Sequence, residues 1–270
     1  MHKRILIFVT VFYSLVGIAQ DSFQLARPLV KYESLFFKDS AKLELKFAQP
    51  DARIYYTLDN EIPSKNPVAP TEKSFLYKKP LVLKKPFTTI RAKVFCKGYK
   101  PSETIELSFV KQGKQIKRIS STSPNPKYPG SGDSTLFDNS GGIENLSSKT
   151  WMGFDTDTIA FTVELVKKEA VNSVLLSFLQ NEDSWILLPE LILAFYFDEN
   201  KKVFIPFGKE VIFNEKKSSV NVNFRFIFPK HDNIKTQKLL INLIPVKKIP
   251  DWHPAKGQHA WCFIDEIKVY

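Results

Sequence analysis

Short runs in which apolar and polar residues alternate recur along most of this chain, and they constrain its fold more than any other feature. Residues 43–47, 53–57, 89–95 and 105–110 follow a period of two in the first half. Neighbouring side chains of a β-strand point to opposite faces, so this period predicts half-buried strands. No long segment with the 3.6-residue period of a helix competes with it. We therefore predict an all-β protein.

The pattern of the second half predicts strands that are longer and more apolar, at residues 159–165, 171–179, 191–197, 220–228, 238–244 and 261–270. Around seven such strands suit a jelly-roll sandwich, and a closed barrel is the alternative. Residues 111–134 are first basic and polar, then rich in Ser, Pro and Gly, which is the composition of a connection. We predict an Ig-like sandwich at 25–112, a linker at 113–130 and a jelly-roll sandwich at 131–270.

The N-terminus predicts a signal peptide over residues 1–19. A basic head at residues 2–4 precedes the apolar run 5–16, and the small residues Gly17 and Ala19 offer a cleavage site. An uncleaved membrane anchor is the alternative, although the apolar run is short of the roughly 20 residues a span needs. We expect a protein that is secreted, periplasmic or at the cell surface.

Charge and cysteine content limit the partners. The chain holds 39 Lys and Arg against 28 Asp and Glu, a net charge of +11, and the basic excess sits mainly in the first half. Export argues against a nucleic-acid partner, whereas an anionic polysaccharide, a charged cell surface or a plain lysine-rich surface is compatible. Cys96 and Cys262 allow at most one disulfide and exclude a cysteine-based zinc site.

Residues of the first half resemble the C-terminal chitobiase/beta-hexosaminidase domain, an Ig-like module appended to secreted glycosidases. The matching positions are Pro50, residues 56–59, Pro63, Ser64, Tyr77, residues 80–81 and 90–92, Gly98 and Ser102. Asp59-Asn60 and Pro63-Ser64 stand where that family has Asp-Gly and Pro-Thr. The resemblance implies a structural spacer.

The second half is similar to discoidin-type modules (coagulation factor 5/8 type C), the galactose-binding-like jelly roll of many carbohydrate-binding modules. The similarity lies in residues 136–138, Gly141, Gly142, residues 151–154, Trp185, Ile186, Pro189 and residues 252–254 and 261–269. The two modules in this order resemble accessory regions of bacterial beta-N-acetylhexosaminidases. Residues 197–200 depart from the family's Ser-x-Asp-Gly turn.

The discoidin resemblance implies a structural calcium ion. In that family a short loop and a glutamate of the last strand hold the ion. The resemblance therefore implies that Asp138 and Glu266 are side-chain ligands. It also implies that backbone carbonyls near Gly141 bind the ion, with Thr150 as a further candidate. Calcium takes six to eight oxygen ligands, and the loop 138–142 is rich in oxygen. The alternative is a simple turn and a terminal carboxylate paired with a lysine.

Two polar loops carry the candidate sugar-binding residues. Trp252 and His253 lie in one, and Asp183 and Trp185 lie in the other. A sugar site needs a flat aromatic ring for the apolar face of a pyranose and polar neighbours for its hydroxyls. Trp151 and Trp261, flanked by strand patterns, are expected in the core, and a core position is favoured for Trp185 as well. For Trp252 the alternative to a ligand contact is a capping position under the loop.

The two carboxylates of the last predicted strand do not suit catalysis. Glycoside hydrolysis needs two carboxylates across the sugar. Alternation predicts that Asp265 shares one face of the strand with Phe263 and Ile267. Glu266 then shares the opposite face with Ile264 and Lys268. We therefore expect no enzyme.

The function predicted from these features is an exported, non-catalytic carbohydrate-binding protein, accessory to glycan degradation and working beside a partner glycosidase. One alternative is a structural or adhesion protein whose discoidin-like module binds a protein or surface. The other is part of a beta-N-acetylhexosaminidase-like glycoside hydrolase.

Overall fold

The computed structural model describes residues 23–58, 74–141, 149–214 and 220–270, and these are almost entirely β-structure. The signal-peptide prediction, the turn pairs at 59–60 and 63–64 and Gly142 lie outside them. The strands in chain order are β1 (Leu29–Lys31), β2 (Phe36–Phe37), β3 (Ala41–Lys46), β4 (Arg53–Thr57), β5 (Phe75–Leu76), β6 (Leu81–Leu83), β7 (Phe87–Phe95), β8 (Ile105–Lys111), β9 (Ile116–Ser121), β10 (Gly130–Asp133), β11 (Met152–Phe154), β12 (Ile159–Ala170), β13 (Val174–Gln180), β14 (Leu191–Asp198), β15 (Val203–Val211), β16 (Asn221–Ile227), β17 (Lys235–Ile244) and β18 (Cys262–Val269).

Two single-turn 3₁₀ helices, Ser134–Leu136 and Glu182–Ser184, are the helical elements of the described chain. The all-β prediction is confirmed. No helix in the described ranges is long and apolar enough to cross a membrane.

The chain divides into two compact units. The first comprises Met1–Leu29, Leu45–Lys78 and Arg91–Glu106, and the second comprises Val30–Glu44, Lys79–Ile90 and Leu107–Tyr270. In the first unit β4 pairs antiparallel with β5 and with residues 91–95 of β7. Its buried side chains include Leu45, Ile54, Ala92 and Val94, which occupy alternate positions as the sequence pattern predicts.

The second unit contains a sandwich of two antiparallel sheets. One has four strands in the order β11-β18-β13-β16, and the other has five in the order β15-β14-β17-β12-β9. Their facing side chains form one core of fully buried residues, among them Phe154, Phe161, Phe178 and Phe207. Close packing of large rings from both sheets fixes the register, because a slip of one residue would turn the apolar face outward.

A β-bulge interrupts β18 at Asp265. Ser177 of β13 pairs with Glu266 and the next residue, Phe178, pairs with Ile264, so the register between the two strands skips Asp265. The core-facing residues of β18 are accordingly Cys262, Ile264, Ile267 and Val269, with one extra residue between the second and the third.

The bulge corrects the prediction made from strict alternation. Glu266 shares a face with Lys268 as expected, but Ile264 and Ile267 both face the core rather than lying on opposite sides. A bulge adds one residue without a partner, and period-two reasoning fails across it.

Several predicted elements differ in extent. The predicted linker contains β9, which pairs with β12 from Ile116 to Ser121 and forms an edge of the five-stranded sheet. The sequence pattern also missed β15, whose residues alternate poorly because Pro206 and Gly208 interrupt it. The predicted domain boundaries stay predictions. Both cysteines are free thiols, Cys262 buried and Cys96 half-buried.

Candidate functional site

The first predicted ligand loop follows β13 and is a tight, capped turn. Asn181 caps the 3₁₀ helix Glu182–Ser184, its side chain accepting a hydrogen bond from Ser184 N at 3.3 Å. Trp185 follows in the left-handed conformation, with φ of 62°. A bulky residue is uncommon there, and the surrounding hydrogen bonds hold it in place.

The second predicted loop, between β17 and β18, is closed by its own backbone. Ile249 N donates to Gln258 O at 2.8 Å, and Gly257 N donates back to Ile249 O at 2.9 Å. Ile249 is 2% exposed and packs with Leu187, Val246 and Ala260. This small apolar cluster anchors the loop, so the loop is a built element with a defined shape.

His253 joins the two loops. Its Nε2 lies 3.0 Å from the Glu182 carbonyl oxygen, and its Nδ1 accepts a hydrogen bond from Ala255 N at 3.0 Å. Because Nδ1 accepts, Nε2 carries the proton and donates to Glu182 O. Glu182 O also accepts from Trp185 N at 2.8 Å. The ring is 8% exposed with both nitrogens engaged, so His253 positions the loops and its nitrogens are not free for a ligand.

A second link ties the tryptophan loop to the terminal strand. Trp261 N donates to Trp185 O at 2.8 Å, and Leu187 N donates to Trp261 O at 3.0 Å. The predicted loops, distant in sequence, therefore form one continuous surface at one end of the sandwich.

The aromatic side chains of this surface differ in exposure. Trp185 is 41% exposed, so the core position favoured for it from the sequence is wrong. Trp252 is half-buried, its ring lying edge-on to His253 at 5.6 Å between centroids, and Asp183 is exposed. Trp151 is 1% exposed in the core, as predicted, and Trp261 is half-buried against the same cluster. Trp185 is thus the most exposed of these rings, and solvent reaches the half-buried Trp252 and Trp261 in part.

A polar row that the sequence reading missed borders this surface. Asn223 Nδ2 donates to Gln180 Oε1 at 3.3 Å, and Gln180 Nε2 donates to Glu182 Oε1 at 3.4 Å. Gln180 and Arg225 also line a cleft of about 330 Å³ beside Phe213, which is 83% exposed. The sequence signal for this polar row is the alternation in β16, where polar residues occupy every second position.

Glu210 faces Arg225 in the same neighbourhood. Their closest approach is 3.5 Å between Glu210 Oε1 and Arg225 Nη1. Burial raises the pKa of Glu210, and the guanidinium of Arg225 works against that rise. Within the described residues, Glu210 Oε2 and Arg225 Nε have no hydrogen-bond partner.

One of the predicted calcium ligands, Glu266, contacts an ammonium group. Glu266 is fully buried, and its Oε2 accepts from Lys268 Nζ at 2.6 Å. Lys268 Nζ also donates to Asn139 Oδ1 at 2.7 Å. Asp138 lies in the same loop, where its Oδ1 accepts from Ser140 N at 2.7 Å. Loss of hydration raises the pKa of Glu266 to about 8, opposed by Lys268 and assisted by the charges of Asp265 and Asp138.

As arranged, these residues do not fit calcium. Among the described residues there is no cluster of three or more acidic, histidine or cysteine side chains able to hold a metal. The place beside the carboxylate is taken by Lys268, which matches the alternative of a carboxylate paired with a lysine. Calcium binding itself stays a prediction.

The adjacent carboxylates are withdrawn from solvent. Asp265 is 1% exposed and Glu266 is 0% exposed. The charge of Asp265 contributes to the raised pKa of Glu266. Burial of both side chains, rather than their position on opposite faces of the strand, keeps this pair away from a substrate.

Comparison with known proteins gives two kinds of likeness. Residues 43–109 match the family model described as Fn3 associated. The chitobiase/beta-hexosaminidase domain expected for this segment is not confirmed. No curated protein matches the sequence.

Solved structures similar to about half of the chain include carbohydrate-binding modules. The family 32 module of Streptococcus pneumoniae EndoD is 15% identical with a TM-score of 0.39, over 58% of this chain and 96% of that one. The family 32 module of C. perfringens NanJ, solved in complex with galactose, is 16% identical with a TM-score of 0.35, over 56% and 90%. A Ruminococcus gnavus GH29 fucosidase in complex with fucose is 9% identical with a TM-score of 0.37; the match covers 56% of this chain and only 24% of the fucosidase. At such low identity, none transfers a ligand to this chain.

Proposed function

We propose that this protein is an exported, non-catalytic carbohydrate-binding protein that acts beside a glycan-degrading enzyme. One observation carries the proposal: the hydrogen bond from His253 to Glu182 O unites two loops, each with a tryptophan that solvent reaches. The Trp185 ring supplies a flat apolar face for a pyranose, and the neighbouring Asp183 supplies acceptors for hydroxyl groups.

The rigidity of this surface supports binding. Both loops are closed by backbone hydrogen bonds and anchored on buried apolar residues. A ligand that stacks on a preformed ring does not have to order the loop first, and this lowers the entropic cost of association. The half-buried Trp252, packed edge-on to His253, is held in a fixed orientation.

The test is a glycan array of the purified protein, with and without calcium, followed by calorimetry on the glycans that bind. We expect Trp185→Ala and Trp252→Ala each to weaken binding about tenfold, which corresponds to about 1.4 kcal/mol. Phe228→Ala is the matched control, because Phe228 is 65% exposed and lies away from the two loops in sequence. The control is expected to keep full affinity.

Three outcomes count against the proposal. Folded protein that binds no glycan on the array removes the carbohydrate-binding function. Release of sugar from hexosaminide substrates by the purified protein contradicts the non-catalytic assignment and favours the glycoside hydrolase alternative. Affinity retained by both tryptophan variants moves the site elsewhere.

Adhesion to another protein is the second candidate, and a separate surface favours it. β15 is an edge strand of the five-stranded sheet, and its exposed residues include Val203, Phe204 and Val211. Lys230 N donates to Phe207 O in the middle of this strand, so its two ends, with their apolar side chains, are the parts that offer a template for pairing with another strand. The test is self-association or partner association measured against protein concentration. Association that Val203→Lys abolishes supports this function if the protein binds no glycan.

A further inference from the structure

The side chain of Lys268 is buried on the outer face of β18. Its side chain is 4% exposed, and that of Glu266, two positions earlier on the same face, is 0% exposed. A lysine is almost never buried to this degree unless its ammonium is paired. The ammonium here meets three groups from three separate parts of the chain.

Two of these groups are oxygen atoms. Glu266 Oε2 lies 2.6 Å and Asn139 Oδ1 lies 2.7 Å from Lys268 Nζ. The third group is the ring of Phe36, whose centroid lies 5.0 Å from the same nitrogen. An ammonium has three N–H donors and is attracted to the face of an aromatic ring, so this set satisfies it.

The loop after the first 3₁₀ helix is shaped around this arrangement. Asn139 has φ of 61° and Gly141 has φ of 67°, both left-handed. A Cβ on Gly141 would lie 2.6 Å from Phe36 Cε2, so a side chain there would displace the ring. The carboxylate of Asp138 turns back onto its own loop, accepting from Ser140 N.

The same set is poor for a calcium ion. Calcium takes six to eight oxygen ligands at 2.3–2.6 Å, whereas one side of this site is an aromatic ring. A calcium ion beside Glu266 would also have to displace the buried ammonium.

We propose that Lys268 is the resident cation of this site, so that the chain supplies from its own last strand the positive charge that the discoidin resemblance assigns to calcium. The ammonium joins β18 to the loop 138–141 and to Phe36. The fold of the second unit is then independent of calcium.

The experiment is thermal unfolding of the full chain in EDTA, in about 10 mM calcium and in the same concentration of magnesium, well above the dissociation constants of roughly 10⁻⁴ to 10⁻³ M of weak extracellular calcium sites. We expect the three Tm values of the unaltered protein to agree within about 1 °C. At this concentration calcium is about ten- to a hundredfold above the dissociation constant of such a site, and its binding would raise Tm by roughly 3–10 °C. A rise of that size with calcium, and not with magnesium, would overturn the proposal.

A pair of variants tests the role of the ammonium directly. Lys268→Met keeps the apolar stem and removes the charge, and we expect it to lower Tm clearly below that of Lys209→Met, a matched change on the exposed part of β15. Equal Tm values for the two variants contradict the proposal. If Lys268→Met does not fold, Asn139→Gly replaces it, since glycine adopts the left-handed backbone of this position without strain and the change removes the acceptor. An unchanged Tm for Asn139→Gly then counts against the resident cation.

Discussion

Replacing His253 with alanine removes the side chain that joins the two candidate ligand loops. The variant loses the hydrogen bond to Glu182 O and the one from Ala255 N, both at 3.0 Å. Each contributes about 0.5–1.5 kcal/mol net. The ring is 8% exposed, so its removal also leaves a void under the loop. Together these losses destabilise the fold by about 2–3 kcal/mol.

Thermal unfolding measures this loss. For a domain of about 150–250 residues, each kcal/mol of lost stability lowers Tm by roughly 2–4 °C. We therefore expect the Tm of His253→Ala to lie roughly 5–10 °C below that of the unaltered protein. His259→Ala is the control, because the His259 side chain is 37% exposed and its Asp157 partner is 65% exposed. Surface changes of this kind stay within about 0.5 kcal/mol.

The binding readout separates positioning from general damage. With the loops no longer joined, Trp252 must be ordered during binding, and we expect weaker affinity for any glycan found on the array even well below Tm. A Tm for His253→Ala within about 1 °C of the unaltered protein, with glycan affinity retained, would falsify the role given to His253.

Three further predictions concern the sandwich itself. Burial in the folded protein raises the pKa of Glu266 from 4.5 to about 8, so the folded state holds this proton more tightly than the unfolded chain. The contribution of Glu266 to the free energy of unfolding therefore falls as the pH rises from about 4.5 to about 8, and is constant above that range. Glu266→Gln should remove a slope of up to about 1.4 kcal/mol per pH unit in unfolding free energy, and identical slopes for the two proteins would refute this. Gly153→Ala places a Cβ 2.8 Å from Tyr128 Cβ and Phe263 Cζ and is expected to cost about 1–3 kcal/mol in urea unfolding; an unchanged midpoint would show that these rings can move aside. Burial raises the pKa of Cys262 to about 12, so a thiol reagent should label the half-buried Cys96 first and Cys262 only after unfolding; equal labelling rates in the native state would contradict the buried assignment.

The candidate site was predicted in part. Trp185, Asp183, Trp252 and His253 were found because they combine aromatic and polar residues in loops between predicted strands. Their union was not predictable, since it depends on contacts between distant segments: the hydrogen bond of His253 to a carbonyl 71 positions away, and the backbone bond from Trp261 N to Trp185 O. The role of His253 also differs from a ligand contact, because its nitrogens bond to the protein itself.

The all-β class and the positions of most of the longer strands follow from the sequence alone, because period-two alternation reports which side of a strand is buried. The sequence also indicated the loops that carry exposed rings. Only the tertiary structure placed the bulge at Asp265, since a bulge arises from the pairing of β18 with β13 rather than from either strand alone. For the same reason the sequence left Glu266 with two possible partners, calcium or a lysine, and the fold brought Lys268, Asn139 and Phe36 together around it. Which cation lies beside a buried carboxylate depends on contacts between distant segments, and no local pattern records them.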